Sequence, residues 1–286
     1  MKKPLSSLLP VSVCTLGFSL TATSAMGQIT PDGSLPTTVE QRGKVSEITG
    51  GGQAGNNLFH SFKDFSIPTG NEAFFNNAVD IRNILSRVTG GNISSIDGLI
   101  RANGTANLFL LNPAGIILGN NARLDIGGSF LGSTGDGLLF DDGTEFSAVD
   151  SSAPVLTINA PIGLNLRDTS STIANSGNLS VNRDLTLASG NLDLRGELRA
   201  GDNLSLEALD RVTIVDTVDN PFIAVAGNDL SIQSDRSINI SVLNNSDSGI
   251  FAGGDLTLRS DNPVSGDAYF ESGGNFRIEQ LDGNGG

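Results

Sequence analysis

The sequence has no tryptophan, one tyrosine (Tyr269), one histidine (His60) and one cysteine (Cys14). A single histidine leaves only His60 as a place to build a Ser-His-Asp arrangement. Without cysteine partners it also leaves no recognisable metal site. Positive charge is scarce, with 17 Lys and Arg against 31 Asp and Glu and a pI near 4.3. That balance argues against nucleic acid and anionic membrane surfaces as partners, since both need clustered cations. Past residue 28 there is almost no helical periodicity, and no segment long and apolar enough to cross a bilayer as a helix. Disorder is also disfavoured, because 38% of residues are apolar and they fall in periodic runs.

What is present begins with a leader. Lys2 and Lys3 open an n-region, Leu5 to Leu20 are uncharged and largely apolar, and Ala25-Met26-Gly27 supplies small residues ahead of Gln28. Residues 1–27 therefore read as a signal peptide rather than a membrane helix, the run being diluted by Pro10, serines and threonines. A lipoprotein reading of Cys14 needs a small residue before it, and Val13 is not small. Removal of the leader takes Cys14 with it, so no disulfide is available in an oxidising compartment. It also leaves 15 basic against 31 acidic residues, a net of −16, which favours solubility outside the cell.

From about Gly177 an apolar–polar–apolar triplet recurs: Leu185-Thr186-Leu187, Leu204-Ser205-Leu206, Leu230-Ser231-Ile232, Leu256-Thr257-Leu258 and Phe276-Arg277-Ile278. Triplet starts are 19, 26, 26 and 20 residues apart, with a satellite, Leu192-Asp193-Leu194, between the first two. This spacing marks a solenoid whose turns are too short for helical repeats and suit strands. The L-x-x-L-x-L consensus of leucine-rich repeats is absent. A β-sandwich competes, but the triplets repeat in kind as well as in spacing. The expected fold is an all-β, right-handed parallel β-helix with N-terminal capping strands, Leu185, Leu204, Leu230 and Leu256 forming one inner column.

The front half is less regular. Asn107–Leu111 and Ile116–Leu118 read as buried strands, the former offering an edge that a partner's sheet could extend. Residues 80–88 and 136–146 are expected to leave the winding as loops or short antiparallel strands, with one helical turn entertained at Ile81–Arg87. The final LDGNGG carries no apolar anchor and no recognisable cap, so the sequence is expected to stop either inside a longer exported protein or short of a natural cap.

Four front-half segments carry a resemblance: NLFHSFKDFSI (57–67), VDIRNILSRVTGG (79–91), SSIDGLIRANGTANLFLLNPAGIILG (94–119) and GGSFLGSTGDGLLF (127–140). Together they resemble the secretion domain of filamentous haemagglutinin-like exoproteins of Gram-negative two-partner secretion, and the NLFHSF wording is similar to cyanobacterial members. The resemblance implies a capped β-helix exported to the surface or medium by an outer-membrane β-barrel transporter with periplasmic domains. It divides the chain into a signal peptide (1–27), a secretion domain (28–150) and further β-helix coils (151–286). It marks Asn57, Leu58, Phe59, His60, Ser61 and Phe62 as a family motif. It also places Asn112, Pro113, Ala114, Gly115 and Ile116 where the family has NPNGI, with Ala114 replacing an asparagine. The family's upstream NPNL motif has no counterpart here.

The NPAGI segment also has a reading of its own. Asn at i, Pro at i+1 and Gly at i+3 favour a type I turn, and the asparagine amide can close it on its own backbone. A structural corner and a partner-recognition element are both consistent with that. His60, between Phe59 and Phe62 in an alternating strand, is expected to pack or make one hydrogen bond.

Parallel β-helices include polysaccharide-degrading enzymes, and Asp141, Asp142 and Glu145 are the candidate catalytic carboxylates. Neighbours on a strand point to opposite faces, and a solvated turn suits them better. No catalytic residue, cofactor or metal is assigned. The function expected is a targeting module followed by an adhesive shaft that meets a host or cell-surface ligand. The alternatives are a polysaccharide-degrading enzyme or a carbohydrate-binding envelope protein.

Overall fold

The computed structural model describes residues 28–281, and the readings of the leader fall outside them. Every regular element described is a strand. The chain winds as a right-handed parallel β-helix with three faces. The first face runs through Asn57–Phe65, Asn83–Val88, Asn107–Leu111, Phe130–Ser133, Leu185–Leu194, Leu204–Val215, Leu230–Ser234, Leu256–Ser260 and Phe276–Glu279, each paired in parallel with the next.

Inward-pointing residues line up rung by rung, as stacking of incomplete units requires. One continuous column is Leu58, Ile84, Leu108, Phe130, Leu185, Leu204, Leu230, Leu256 and Phe276. The four leucines expected to stack do so, and all four are buried. Phe276, on the last rung, is 46% exposed. The satellite triplet is the far end of the same long strand as Leu185. It pairs with Thr172–Asn175 and so turns the chain onto the second face.

The first coil is capped. Ile29–Pro31 runs antiparallel to residues 62–65, and Thr37–Arg42 and Val45–Gly50 form a hairpin beside the third face. Phe62, Phe65 and Phe75 fill the end with mutually tilted or stacked rings at 5.2–6.4 Å. Aromatic edge and offset contacts of this kind seal a coil end that would otherwise present its core to water.

One excursion leaves the winding between Phe130–Ser133 and Leu185–Leu194. Gly137–Phe140, Glu145–Ser147 and Pro161–Asn165 form a three-stranded antiparallel sheet, as expected for the segment around residues 136–146. This flap packs against the outer surface of the first coils and closes a second core of Phe59, Leu85, Leu111, Leu138, Phe140 and Phe146.

Three expectations are corrected. Residues 80–88 do not leave the winding as a loop or antiparallel strand and residues 81–87 are not helical, since Asn83–Val88 is a central parallel strand of the first face. Ile81, Ile84, Leu85 and Val88 carry the i, i+3, i+4, i+7 spacing of a helix. A strand buried on both sides produces the same spacing, and the flap buries the second side. In the folded chain, Asn107–Leu111 offers no free edge, because it is paired on both sides.

Candidate functional site: the capped N-terminal coils

The two motifs singled out in the sequence lie on neighbouring coils. In Asn57–Phe62, alternation sends Leu58, His60 and Phe62 inward and Asn57, Phe59 and Ser61 outward. All six are nevertheless buried, since cap and flap cover the outer face.

Asn57 heads an asparagine ladder. Asn107 Nδ2 donates to Asn83 Oδ1 at 2.9 Å, and Asn83 Nδ2 donates to Asn57 Oδ1 at 2.9 Å. Asn57 Nδ2 then donates to the carbonyls of Thr157 (3.0 Å) and Asn159 (2.6 Å), tying the coils to the incoming flap strand. Asn107 Oδ1 accepts from the Ser129 amide and carries the ladder one coil further. Each amide thus fills the hydrogen-bonding capacity of the next, which a buried polar row requires.

His60 is 1% exposed, with Nδ1 3.2 Å from Thr37 Oγ1 and its ring beside Phe62 and Phe75. Burial pushes its imidazole down to about 3. His60 Nε2 and Ser86 Oγ, on adjacent rungs, have no hydrogen-bond partner among the described residues. This is packing with one hydrogen bond rather than a catalytic arrangement.

Ser61 belongs to a network that sequence reading missed. Its Oγ donates to Asp32 Oδ2 at 2.6 Å and accepts from Arg87 Nε at 2.7 Å. Arg87, 1% exposed, also donates to Ser34 Oγ (3.0 Å) and to the carbonyls of Ser147 (2.5 Å) and Ser152 (2.6 Å). Its guanidinium therefore fastens the cap, the first coil and the flap together. Burial pulls Arg87 below its ordinary value, against the field of Asp32 and Asp150. Burial raises Asp32, yet hydrogen bonds from Ser61, Ser34 and Thr89 hold it below the usual carboxylate value. The only sequence signal for Arg87 was its place in VDIRNILSRVTGG, where a charge interrupts an apolar stretch.

The NPAGI corner turns the chain from the first face to the second. The Gly115 amide donates to the Asn112 carbonyl at 3.0 Å, closing the turn, and Asn112 Oδ1 accepts from the Ala114 amide at 3.0 Å. Asn112 Nδ2 donates to the Asn92 carbonyl and to Ser94 Oγ, both at 2.9 Å, locking this corner onto the preceding coil. Asn112 is wholly buried. Gly115 has φ +122°, a region L side chains avoid, and an added Cβ would come within 3.1 Å of the Thr172 carbonyl oxygen. Pro113 and Ala114 are half-buried, and Ile116 is in the core.

The carboxylates weighed as catalytic sit on the flap turn. Hydrogen bonds from Thr144 and Thr157 hold Asp142 at about 2, the opposite of the raised value a general acid needs. Glu145 accepts from Asn165 Nδ2. Among the described residues, no group of His, Cys, Asp and Glu converges on a metal-sized site.

The TPS secretion domain family matches residues 27–275. This chain belongs to that two-partner secretion family. The secretion domain of filamentous hemagglutinin is similar in fold: its crystal structure aligns over 87% of this chain and 99% of that one, at 14% identity and TM-score 0.50. The HMW1 secretion domain of Haemophilus influenzae aligns over 88% of this chain and 75% of that one, at 16% identity and TM-score 0.42. No curated protein sequence matches. TPS secretion domain proteins are secreted or exported to the cell surface, and so is this chain.

Proposed function

We propose that this chain is the exported partner of a two-partner secretion pair. Its leader directs it across the inner membrane, and residues 28–150 address it to an outer-membrane β-barrel transporter with periplasmic domains. The coils from residue 151 onward form a surface shaft that serves adhesion to a host or cell-surface ligand. The observation carrying this reading is the family match over residues 27–275, on a β-helix whose first coil is closed by a cap. The NLFHSF and NPAGI segments act in export by setting the order of folding. NLFHSF joins the first coil to cap and flap, and NPAGI locks its corner onto the preceding coil, so a chain in which they fail cannot close its N-terminal coils. Contacts between neighbouring coils let folding propagate as the chain emerges.

The test is export with and without the transporter gene. Accumulation in the periplasm without it, and release when it is restored, is the expected result. Release at an unchanged level without the transporter would end the two-partner reading.

A further inference from the structure

The corner between the second and third faces changes size along the chain. It is tight at residues 176–177 and 195–196, and broad at 216–222 and 242–248. The triplet interval reports this, since it lengthens from 19 to 26 residues where the broad corners begin. Gly196 makes a tight corner possible: its φ is +73°, and an added Cβ would lie 2.5 Å from the Gly177 carbonyl oxygen. The first broad corner overhangs the tight ones and leaves an open cavity of about 430 Å³ between them. Its own bonds hold the overhang in place. The Thr217 amide donates to the Asn220 carbonyl at 3.0 Å, and the Asn220 amide to the Thr217 carbonyl at 3.2 Å. Asp216, 6% exposed, anchors the base to the next broad corner, accepting from Asn244 Nδ2 (2.8 Å), the Asn245 amide (2.9 Å) and Ser248 Oγ (2.7 Å).

We infer that this cavity binds one unit of a neutral saccharide. The inference rests on the surface-ligand reading above and names the chemistry of that ligand. Asn120, Ser176, Asn178 and Arg195 reach the cavity from three successive corners. Their side chains have no hydrogen-bond or ion-pair partner among the described residues. Glu197, held on one side by Arg199, lines the same space. Amides and a hydroxyl both donate and accept, a guanidinium only donates and a carboxylate only accepts. A ligand that satisfies them all must donate and accept at neighbouring points, as the hydroxyls of a sugar do. A phosphate, sulfate or carboxylate only accepts, and it would face Glu197 and Asp216 in a chain of net charge −14. An apolar ligand would strand the polar groups without partners. Val215, Pro221 and Ile223 add an apolar patch for the C–H face of the ring. The cavity is within the roughly 300–1,000 Å³ of small-ligand sites, and its fixed overhang spares the ligand the cost of ordering it.

The test uses the exposure of Asn178 and Arg195, whose side chains fold can spare. The secreted chain, its N178A and R195A variants and an I162A control are applied to an array of neutral, uronate and sulfated oligosaccharides. Ile162 is exposed on the flap, away from the cavity lining. Calorimetry then measures the affinity of each probe that binds, and thermal melts check the fold. All four proteins should melt alike. The wild type and I162A should bind neutral oligosaccharides alike, and N178A and R195A about tenfold more weakly. Equal binding by all four would overturn the site. A wild type that binds no probe, or only uronate or sulfated ones, would overturn it too. Adherence to cells is measured on the same preparations. A chain that adheres but binds no saccharide would overturn the site and leave the adhesion reading standing. Saccharide binding weakened by both variants, in a chain that does not adhere, would support the site and remove the adhesion reading.

Discussion

The Arg87 guanidinium carbon lies 5.0 Å from the centre of the Phe146 ring, so a charge on the first coils is roofed by an aromatic residue of the flap. The two residues are 59 positions apart in the chain, and the contact is buried on both sides. Cation–π attraction strengthens as water is excluded. The same guanidinium makes hydrogen bonds to cap and flap, so three elements depend on one side chain.

Arg87→Ala should lower stability by about 3–5 kcal/mol, because it leaves two flap carbonyls and two serine hydroxyls short of a buried donor. Arg87→Lys should recover little, since an ammonium cannot reproduce the guanidinium fork. Urea unfolding of both variants beside Arg195→Ala, an exposed control, measures this. Equal stability of Arg87→Ala and the control would remove Arg87 as the fastener.

The inner column makes a graded prediction. Leu204→Ala and Leu230→Ala should each cost about 2–5 kcal/mol through lost burial and the cavity left. Phe276→Ala, at the same register but on a half-exposed rung, should cost less than about 1 kcal/mol. Thermal melts of the three variants would show whether register or exposure governs the cost.

His60 predicts an acid response above the carboxylate range. Its folded value of about 3 lies below the 6.5 of an unfolded chain. The unfolded state therefore binds the extra proton first, and stability contributed by the neutral ring is complete above pH 6.5 and falls as pH drops toward 3. The slope is about 1.4 kcal/mol per pH unit. Between pH 6 and 5 carboxylates contribute little, so stability measured across that window should fall in the wild type and stay nearly flat in His60→Leu. A flat wild-type profile would show that the ring is solvated.

Asn112 and Asn203 separate the corner from an ordinary coil turn. Asn112→Ala removes a buried amide that joins two coils, at a cost of about 2–4 kcal/mol. It should block secretion while the refolded chain keeps its β-spectrum at room temperature. Asn203 is exposed, and among the described residues its side chain bonds only to Asp184, Asn228 and the Asp229 amide on neighbouring turns, so Asn203→Ala should export nearly normally. Comparing medium and periplasmic fractions of both variants settles the point, and equal export would reduce the corner to structure alone.

The sequence by itself determined the winding. Inward side chains of a solenoid must repeat where coils stack, so Leu185, Leu204, Leu230 and Leu256 disclosed their register through spacing alone. The turn chemistry of Asn112, Pro113 and Gly115 was equally local and disclosed the corner. What only the tertiary structure decided was the outer face of the first coils. Phe59, Leu85 and Leu111 would be solvent-facing in a bare β-helix and are buried because a flap folds back over them. Arg87 meets carbonyls 60 and 65 residues further on, and Asn57 one 102 residues further on. Contacts at such separations leave no periodicity behind. For the same reason Asn83–Val88, apolar on both faces, matched the spacing of a helix until the flap that covers its second face was in place.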